Sequence, residues 1–388
     1  MKPDDPQNWQ PRELGAVVTL QRGRDLPVQL RKPGPYPVIG SNGIVGYHSQ
    51  CAAKGPGVLV GRSGSVGTVT WVESDYWPLN TTLWVSDFHR NNPKFASYFL
   101  EYLDLRRYTA GVSVPTLNRN VVHPLRVTIP PLPEQRAIAR ALRAVREAKE
   151  SRQRELALER ERKAALVEFL FTRGTCGEPR KQTGSRMIPE SWEATGLGDV
   201  CLFEGGTQPP RATFVFVPTE GYVRLQQIRD FETDDYPAFV SKSYNLRLVE
   251  EGDVLLARYG ASVGKVFRAK SGAINVALMR AMPDERRLSK SYLYFFLQTE
   301  HVQAYLKGLG GRSAQAGFNQ GELRRIPLPL PSVAEQQVIT NVLALCDQLI
   351  SALERESAVL NELFATLLEE LMTGRLSAVP LIEPEAGA

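Results

Sequence analysis

The chain has 388 residues, more than one hydrophobic core usually holds, and this length predicts two domains of roughly 150 to 200 residues each. Hydrophobic residues make up 43% of the chain and charged residues 23%, and no apolar run reaches the roughly 18 residues that a membrane-spanning helix needs. Composition therefore excludes a membrane protein. The net charge of +5 suits a polyanionic partner but does not require one.

The N-terminal segment and the cysteines indicate the cellular compartment. The segment MKPDDPQNWQPREL has no apolar stretch behind a basic start, so we expect neither a secretory signal nor a structural element there. The four cysteines lie far apart without a C-x-x-C pair, which argues against a disulfide framework and against a zinc knuckle. Together these features predict a cytoplasmic protein.

The first half of the chain contains six landmarks in a fixed order. They are Trp9 followed by Leu14-Gly15, the glycine-rich segment GVLVGRSGSVG (57–67), Tyr98-Phe99-Leu100, Asn118, the proline-rich segment LRVTIPPLPEQ (125–135), and a long helical stretch that ends near Gly174. Proline suits the first turn of a helix and glycine suits its end, so Pro133 and Gly174 are expected to bound the long helix.

The second half of the chain repeats these landmarks in the same order. They are Trp192 followed by Leu197-Gly198, the segment GDVLLARYGASVG (252–264), Tyr294-Phe295-Phe296-Leu297, Asn319, the proline-rich segment IPLPLPSVAEQ (326–336), and a helical stretch that ends near Gly374. A repeat of this length predicts two units of one architecture, each with a mixed strand and helix part followed by a long helix. We therefore predict an α+β fold with a pseudo-two-fold internal repeat.

Both long helices carry apolar residues at the alternating spacing of three and four residues that is typical of a coiled-coil seam. The seam residues are Ile138, Leu142, Val145, Leu156, Leu166 and Leu170 in the first helix, and Leu343, Ile350, Leu353, Leu360, Phe364 and Leu367 in the second. Residues 134–163 contain ten Lys or Arg against six Glu, whereas residues 335–371 contain seven acidic residues against Arg355 alone. Opposite charge predicts that the two helices pair with each other inside one chain.

An antiparallel pair of these helices would bring Arg152 and Arg154 near Glu354 and Glu356. At about 1.5 Å per residue each helix is roughly 55 Å long, so the pair would act as a ruler between the two domains. Two alternatives stay open. One is a coiled coil between two copies of the chain, and the other is a basic first helix that lies on DNA.

The doubled order of motifs resembles the specificity subunit of type I restriction-modification enzymes over nearly the whole chain. The resemblance is carried by GRSGSVG (61–67) and ARYGASVG (257–264), by VPTLN (114–118), by PPLPEQ (130–135), and by the long helix that follows. The second copy departs from the first with QAGFN (315–319) in place of VPTLN and with Val333-Ala334 in place of Leu132-Pro133. These departures affect the assignment of one loop in the second copy.

The resemblance implies two similar target recognition domains separated by two long antiparallel coiled-coil helices. The expected boundaries follow the motifs. Residues 1–132 form the first recognition domain, residues 133–174 the first helix, residues 175–333 the second recognition domain, residues 334–376 the second helix, and residues 377–388 a flexible tail.

The resemblance also implies a noncatalytic subunit that reads a bipartite, asymmetric site in double-stranded DNA, with one half-site for each domain. The implied partners are two modification subunits, which methylate adenine with S-adenosylmethionine and dock on the long helices, and restriction subunits, which use ATP and Mg²⁺. No cofactor and no metal are expected in this chain.

Residues with the hydrogen-bonding chemistry that DNA contact requires cluster in the glycine-rich loops and in a few other short segments. In the first domain they are Arg62, Ser63, Ser65, Asn80, Thr81, Thr82, Arg106, Arg107, Asn118, Arg119 and Asn120. In the second domain they are Arg224, Gln226, Gln227, Arg258, Tyr259, Arg312, Ser313, Gln315, Asn319 and Gln320.

These candidates have structural alternatives. Both glycine-rich loops share Ser-Val-Gly although the half-sites should differ, so a turn that only supports the sheet explains that motif equally well. For Arg106 and Arg107 a solvated helix face competes equally with phosphate contact. For Arg312, Ser313 and Gln315 a role in DNA contact is favoured over a plain turn.

No catalytic constellation accompanies these candidates. The four histidines, His48, His89, His123 and His301, have unrelated spacings, and no G-x-x-x-x-G-K-[ST] loop for ATP is present. Two other functions stay open: the specificity partner of a combined restriction-methylation enzyme, and a coiled-coil adaptor that binds proteins.

Overall fold

A computed structural model describes residues 9–110, 115–184, 186–310 and 317–382. The first series of elements ends in a long helix. Its strands are β1 (Gln10–Glu13), β2 (Thr19–Arg22), β3 (Tyr36–Gly40), β4 (Gly43–His48), β5 (Gly57–Gly61), β6 (Val69–Val72), β7 (Trp77–Pro78), β8 (Thr82–Asp87), β9 (Thr109–Ala110), β10 (Thr116–Leu117) and β11 (Arg126–Ile129). Its helices are α1 (Leu14–Val17), α2 (Pro93–Tyr102), α3 (Arg119–Val122) and α4 (Leu132–Arg173).

The second series also ends in a long helix. Its strands are β12 (Arg180–Thr183), β13 (Arg186–Pro189), β14 (Glu193–Gly196), β15 (Cys201–Gly205), β16 (Tyr222–Gln226), β17 (Phe239–Ser241), β18 (Leu248–Val249), β19 (Val254–Ala257), β20 (Val266–Arg268), β21 (Gly272–Ile274), β22 (Leu278–Pro283) and β23 (Pro327–Leu330). Its helices are α5 (Lys290–Phe296), α6 (Glu300–Gly310), α7 (Gln320–Arg324) and α8 (Val333–Met372).

The chain divides into two compact units, and each unit takes one part of both long helices. Unit 1 joins the chain up to Arg154 to the chain from Glu354 onward, and unit 2 is Glu155–Leu353. The first part of α4 therefore belongs with the last part of α8, and the last part of α4 belongs with the first part of α8.

Each unit is built on a four-stranded antiparallel sheet with equivalent strand order. The order is β2-β8-β5-β6 in unit 1 and β15-β22-β19-β20 in unit 2. The central strands β5 and β19 are buried along their whole length, which explains why they read as continuous runs of apolar residues and glycine. Each unit also contains a second sheet. It has three strands in unit 1, in the order β4-β3-β7, and four strands in unit 2, in the order β17-β16-β21-β18.

One hydrophobic core in each unit joins the central sheet to both long helices. In unit 1 this core contains Val58 and Val85 of the sheet, Phe95 and Phe99 of α2, Ile138 and Leu142 of α4, and Phe364 and Leu371 of α8. In unit 2 it contains Val254 and Leu256 of the sheet, Tyr292 and Phe296 of α5, Leu170 and Phe171 of α4, and Ile339 and Leu343 of α8. Each core thus contains residues from both long helices.

The long helices pack together within one chain, as their opposite charges predict, and they are antiparallel, as the resemblance implies. In unit 1 the Arg152 guanidinium donates to the Glu356 carboxylate at 2.8 Å, and in unit 2 Lys163 pairs with Asp347. Six of the seam residues are buried, namely Ile138, Leu142, Leu170, Leu343, Leu353 and Phe364, and the other six are half-buried. The predictions of an α+β fold with an internal repeat and of paired long helices are confirmed.

Both ends of the described chain contain structure that the sequence did not indicate. The N-terminal segment was expected to form no element, yet β1 pairs antiparallel with β11, with Gln10 opposite Ile129. The segment expected to be a flexible tail begins with a packed turn, because Ala378 is buried in unit 1 and Arg140 donates to the carbonyl oxygen of Leu381 at 2.8 Å. Residues 383–388 lie outside the described residues.

A buried glutamine near the start of each long helix anchors that helix to its unit. The Gln135 amide accepts a hydrogen bond from the Asn92 N–H at 2.9 Å and donates to the Asn91 side chain and to the carbonyl oxygen of Pro130. The Gln336 amide accepts from the Ser289 N–H at 2.8 Å and donates to two carbonyl oxygens, those of Arg287 and Pro331. Asn92 and Ser289 are the N-cap residues of α2 and α5, so the two anchors are equivalent.

The residue before each anchor makes a second equivalent contact. The Trp9 indole N–H donates to the Glu134 carboxylate at 3.1 Å, and the Trp192 indole N–H donates to the Glu335 carboxylate at 2.8 Å. The tryptophan and Glu-Gln landmarks of the repeat therefore meet in space.

No helix in the described part of the chain is both long enough and apolar enough to cross a membrane.

Replacing Gln336 with alanine is expected to destabilise the protein by about 1–3 kcal/mol, because the Ser289 N–H and two carbonyl oxygens lose a buried partner. Urea unfolding of the full chain measures this change. The matched control is Gln337→Ala, since the Gln337 side chain is exposed and donates to the Asn341 side chain. Equal losses for the two variants would contradict the anchoring role.

Candidate nucleic-acid interface

Each central sheet carries a glycine-rich loop after its buried central strand. In unit 1, β5 ends at Gly61 and the chain returns along β6. Gly64 and Gly67 both have a φ of +79°, a conformation that favours glycine. A Cβ atom on Gly61 would lie 2.0 Å from the carbonyl oxygen of Ser65. The glycines are therefore required by the turn, which supports the structural explanation of that part of the motif.

Main-chain hydrogen bonds join this loop to two other segments of unit 1. The Arg62 N–H donates to the carbonyl oxygen of Thr81 at 2.8 Å, and the Leu117 N–H donates to the carbonyl oxygen of Arg62 at 2.9 Å. The Arg62 guanidinium also donates to the carbonyl oxygen of Asn80, at 3.4 Å. Three of the segments singled out from the sequence, residues 62–65, 80–82 and 118–120, are thus brought to one place.

Unit 2 builds the same arrangement from different side chains. The Arg258 N–H donates to the carbonyl oxygen of Ala277 at 2.8 Å, in the manner of Arg62 and Thr81. Tyr259 forms a β-bridge with Gly317, and the Arg258 Nε–H donates to the carbonyl oxygen of Phe318 at 3.4 Å. The loop and the segment before α7 therefore lie together, as the loop and the segment before α3 do in unit 1.

In unit 1 the turn between β3 and β4 is part of the same surface, although the sequence did not indicate this turn as a candidate for DNA contact. A Cβ atom on Gly64 would lie 3.1 Å from the Ser41 hydroxyl, so the turn Ser41-Asn42 lies directly against the glycine-rich loop. The Asn80 side chain also bonds the carboxylate of Asp25, from the segment after β2. The Ser-Asn-Gly sequence is a hairpin signal, but only the folded sheet places it beside the loop.

The accessible candidates form a polar surface around each loop. In unit 1, Ser65, Arg119 and Asn120 are exposed, and Arg62, Ser63, Asn80 and Thr81 are half-buried. In unit 2, Tyr259 and Gln320 are exposed, and Arg258 and Gln227 are half-buried.

Several candidates hold the fold together instead. Thr82 is buried and donates to the carbonyl oxygen of Leu79, and Gln226 is buried with its amide bonded to the main chain of Lys270. Asn118 and Asn319 cap α3 and α7 with their side chains. Thr82 and Gln226 are each 1% exposed, so neither side chain can contact a base in this conformation.

Three arginine candidates outside the loops, Arg106, Arg107 and Arg224, are paired with acidic residues. Arg106 donates to Asp104 at 2.5 Å, and this hydrogen bond is the main cause that holds the pKa of the Asp104 carboxyl below its usual range. Arg224 donates to Asp234 at 2.7 Å. Arg106 and Arg107 remain exposed, so phosphate contact would compete with the carboxylate of Asp104.

Arg312, Ser313 and Gln315 lie outside the described residues. Within the described ranges, no group of three or more His, Cys, Asp or Glu side chains is arranged to hold a metal ion.

The loop surface and the long helix lie at opposite ends of one strand. In unit 1 the strand is β8, which begins at Thr82 beside the loop and leads from Asp87 to Asn91 and Asn92, where Gln135 is bound. In unit 2 the strand is β22, which leads to Ser289 and its bond with Gln336. Two units of this kind, each joining one loop surface to parts of both long helices, define a class of proteins with an internal duplication.

The sequence matches the family described as "Type I restriction modification DNA specificity domain" twice, over residues 6–160 and 189–363. The chain belongs to this family and is a DNA specificity subunit of type I restriction-modification systems. The resemblance found in the motifs is confirmed, and the adaptor alternative is disfavoured.

Similar proteins agree with this membership. The type I restriction enzyme EcoBI specificity subunit of Escherichia coli is 25% identical over 356 residues, which cover 83% of this chain and 74% of that protein. The type I restriction enzyme MjaVIII specificity subunit of Methanocaldococcus jannaschii is 24% identical over 196 residues, which cover 50% of this chain and 44% of that protein. The crystal structure of a type I S subunit from M. genitalium shares the fold, with a TM-score of 0.69 at 17% identity over 96% of this chain and 98% of that one.

Replacing Arg62 with alanine is expected to weaken DNA binding roughly tenfold without changing which bases are preferred, because the guanidinium supports the loop through the carbonyl oxygen of Asn80. Titration of the assembled complex with a specific duplex and its single-base variants measures both effects. Arg12→Ala in β1 is the control and should bind normally, because the Arg12 side chain is exposed and donates to the Gln10 side chain. A changed base preference in Arg62→Ala would contradict a supporting role.

Proposed function

We propose that each unit reads one half of a bipartite, asymmetric site in double-stranded DNA through its glycine-rich loop and the segments bonded to it. The proposal rests on one observation: the two units contain the same arrangement of loop and bonded segments, but with different side chains at equivalent positions. Ser63 corresponds to Tyr259, and Arg119 corresponds to Gln320. Because each base pair presents its own pattern in the major groove, unlike side chains on equivalent loops favour unlike half-sites.

The proposed contacts are the accessible polar and aromatic residues around the two loops. They are Ser63, Ser65, Asn80, Thr81, Arg119 and Asn120 in unit 1, and Gln227, Tyr259 and Gln320 in unit 2, while Arg62 and Arg258 support the loops. Arg106 and Arg107 would contact phosphates, which position a protein on DNA without reading sequence.

The long helices are proposed to dock two modification subunits and to set the distance between the half-sites. Residues 133–174 and 334–376 would have this role, and residues 1–132 and 175–333 would be the recognition domains. Exposed apolar residues on α8 support the docking role: in unit 2, Val338 and Leu345 lie seven residues apart and are 50% and 65% exposed. S-adenosylmethionine, ATP and Mg²⁺ would bind the modification and restriction subunits.

DNA binding by the assembled complex is expected to depend steeply on salt, because each phosphate contact adds about −0.9 to the slope of log K against log salt. The complex should also prefer its own site over random duplexes by roughly 10³-fold or more. Titration at several salt concentrations, with specific and random duplexes, measures both quantities. A shallow slope together with no preference would contradict DNA reading and favour a protein-binding adaptor.

Exchanging residues 1–130 for the corresponding segment of a related subunit is expected to change one half-site and leave the other unchanged, because unit 2 keeps its loop. Methylome sequencing of a strain that carries the exchanged subunit identifies both half-sites. Exchange of residues 175–333 is the reciprocal experiment and should change the other half-site. Simultaneous change of both half-sites in either strain would contradict independent reading.

A further inference from the structure

The two glycine-rich loops differ at the residue that follows their shared arginine. Arg62 precedes Ser63, and Arg258 precedes Tyr259. A second difference accompanies the first in the segment bonded to each loop. Two residues before the equivalent asparagines Asn118 and Asn319, unit 1 has Thr116 and unit 2 has Gly317. The small side chain after the arginine thus occurs with threonine, and the large one occurs with glycine.

Contact geometry explains why tyrosine and glycine occur together in unit 2. Tyr259 forms a β-bridge with Gly317. A Cβ atom on residue 317 would lie 2.8 Å from Cδ1 and 3.0 Å from Cε1 of the Tyr259 ring, and 2.9 Å from the carbonyl oxygen of Arg258. The ring therefore lies directly against the backbone of residue 317, and a larger residue at that position would have to displace it.

Arg258 holds the ring from a second direction. Its guanidinium carbon lies 4.9 Å from the centroid of the Tyr259 ring, and its Nε–H donates to the carbonyl oxygen of Phe318. A Cβ atom on Gly205 would lie 3.0 Å from the guanidinium, so the arginine is enclosed on that side as well. Tyr259 is thus oriented by its neighbours while 37% of its surface stays exposed.

We propose that Tyr259 is a specificity-determining residue for the half-site read by unit 2, and that its ring contacts the C5 methyl group of a thymine. Gly317 and Arg258 are its positioning residues. This inference rests on the proposed function of the loops. The arginine cannot distinguish the half-sites because both loops have it, so discrimination falls to the residue that differs.

The choice of thymine follows from the chemistry of the duplex. In the major groove of stacked DNA, base edges present hydrogen-bond donors and acceptors, and the apolar group among them is the methyl of thymine. An aromatic ring that is held in place and partly exposed is complementary to that group. Ser63, at the equivalent position of unit 1, offers a hydroxyl instead and would read a hydrogen-bonding edge.

The test is selection of bound duplexes from a random pool by the full chain in complex with its modification subunits. Tyr259→Ser should lose roughly tenfold or more of the discrimination at one position of the unit 2 half-site and leave the unit 1 half-site unchanged. Tyr259→Phe keeps the ring and should keep the preference. Replacing the thymine with uracil removes only the methyl, so it should weaken binding by the wild-type complex and have no effect on the Tyr259→Ser complex.

A second pair of variants tests the positioning role independently of folding. Gly317→Thr should lower the thermal stability and the discrimination of the wild-type chain, because its Cβ would meet the ring. The same change in the Tyr259→Ser background should cost less stability, because the contact with the ring is removed and only the contact with the carbonyl oxygen of Arg258 remains. Ser63→Ala is the matched control in the other loop, and any change that it causes should be confined to the unit 1 half-site.

The outcomes separate the inference from the function on which it rests. If the wild-type complex selects no motif, the proposed function fails. If the wild-type complex selects a bipartite motif and Tyr259→Ser selects the same motif with the same preferences, only the assignment of Tyr259 is overturned. Equal sensitivity of the wild-type and Tyr259→Ser complexes to uracil would overturn the methyl contact.

Discussion

The architecture depends on one buried side-chain amide near the start of each long helix. Gln135 and Gln336 each bond three groups, and in both cases one of these is the N–H of the residue that caps an earlier helix, α2 or α5. A buried amide without partners is costly, so the position tolerates only the geometry that satisfies all three bonds. The helix, the central sheet and the loop at the far end of that sheet are therefore held in one fixed relation within each unit.

Charge and apolar packing have different roles in the helix pair. The Arg152–Glu356 contact is exposed and contributes little to stability, whereas the buried seam residues supply most of the favourable free energy. Aromatic contacts reinforce the seam in unit 1, where the Arg146 guanidinium lies 4.6 Å from the ring centroids of both Tyr98 and Phe364. The opposite charges of the helices thus favour their pairing, and the packed core supplies most of the stability.

Each glycine-rich loop contains residues that both units share and residues that differ between the units. The glycines and the arginine are shared because the turn and its main-chain bonds require them, so they carry no information about a particular half-site. The residues that differ, such as Ser63 and Tyr259, stand on the accessible side of each loop. This division lets one fold present two chemically distinct surfaces without a change in the sheet that supports them.

Sequence alone determined the features that rest on local periodicity and on repetition: two units, two long helices with glycine at their ends, the seam, and the pairing of Arg152 with Glu356. Tertiary structure decided which segments meet. The strand β1 forms only because residues 126–129 lie beside it, Ser41 reaches the glycine-rich loop only through the folded hairpin, and Thr82 and Gln226 are enclosed by residues distant in the chain. The apolar periodicity of a helix can be recognised from residues that are close in the sequence. Strand pairing and burial depend instead on residues that are distant in the sequence and come together only when the chain folds.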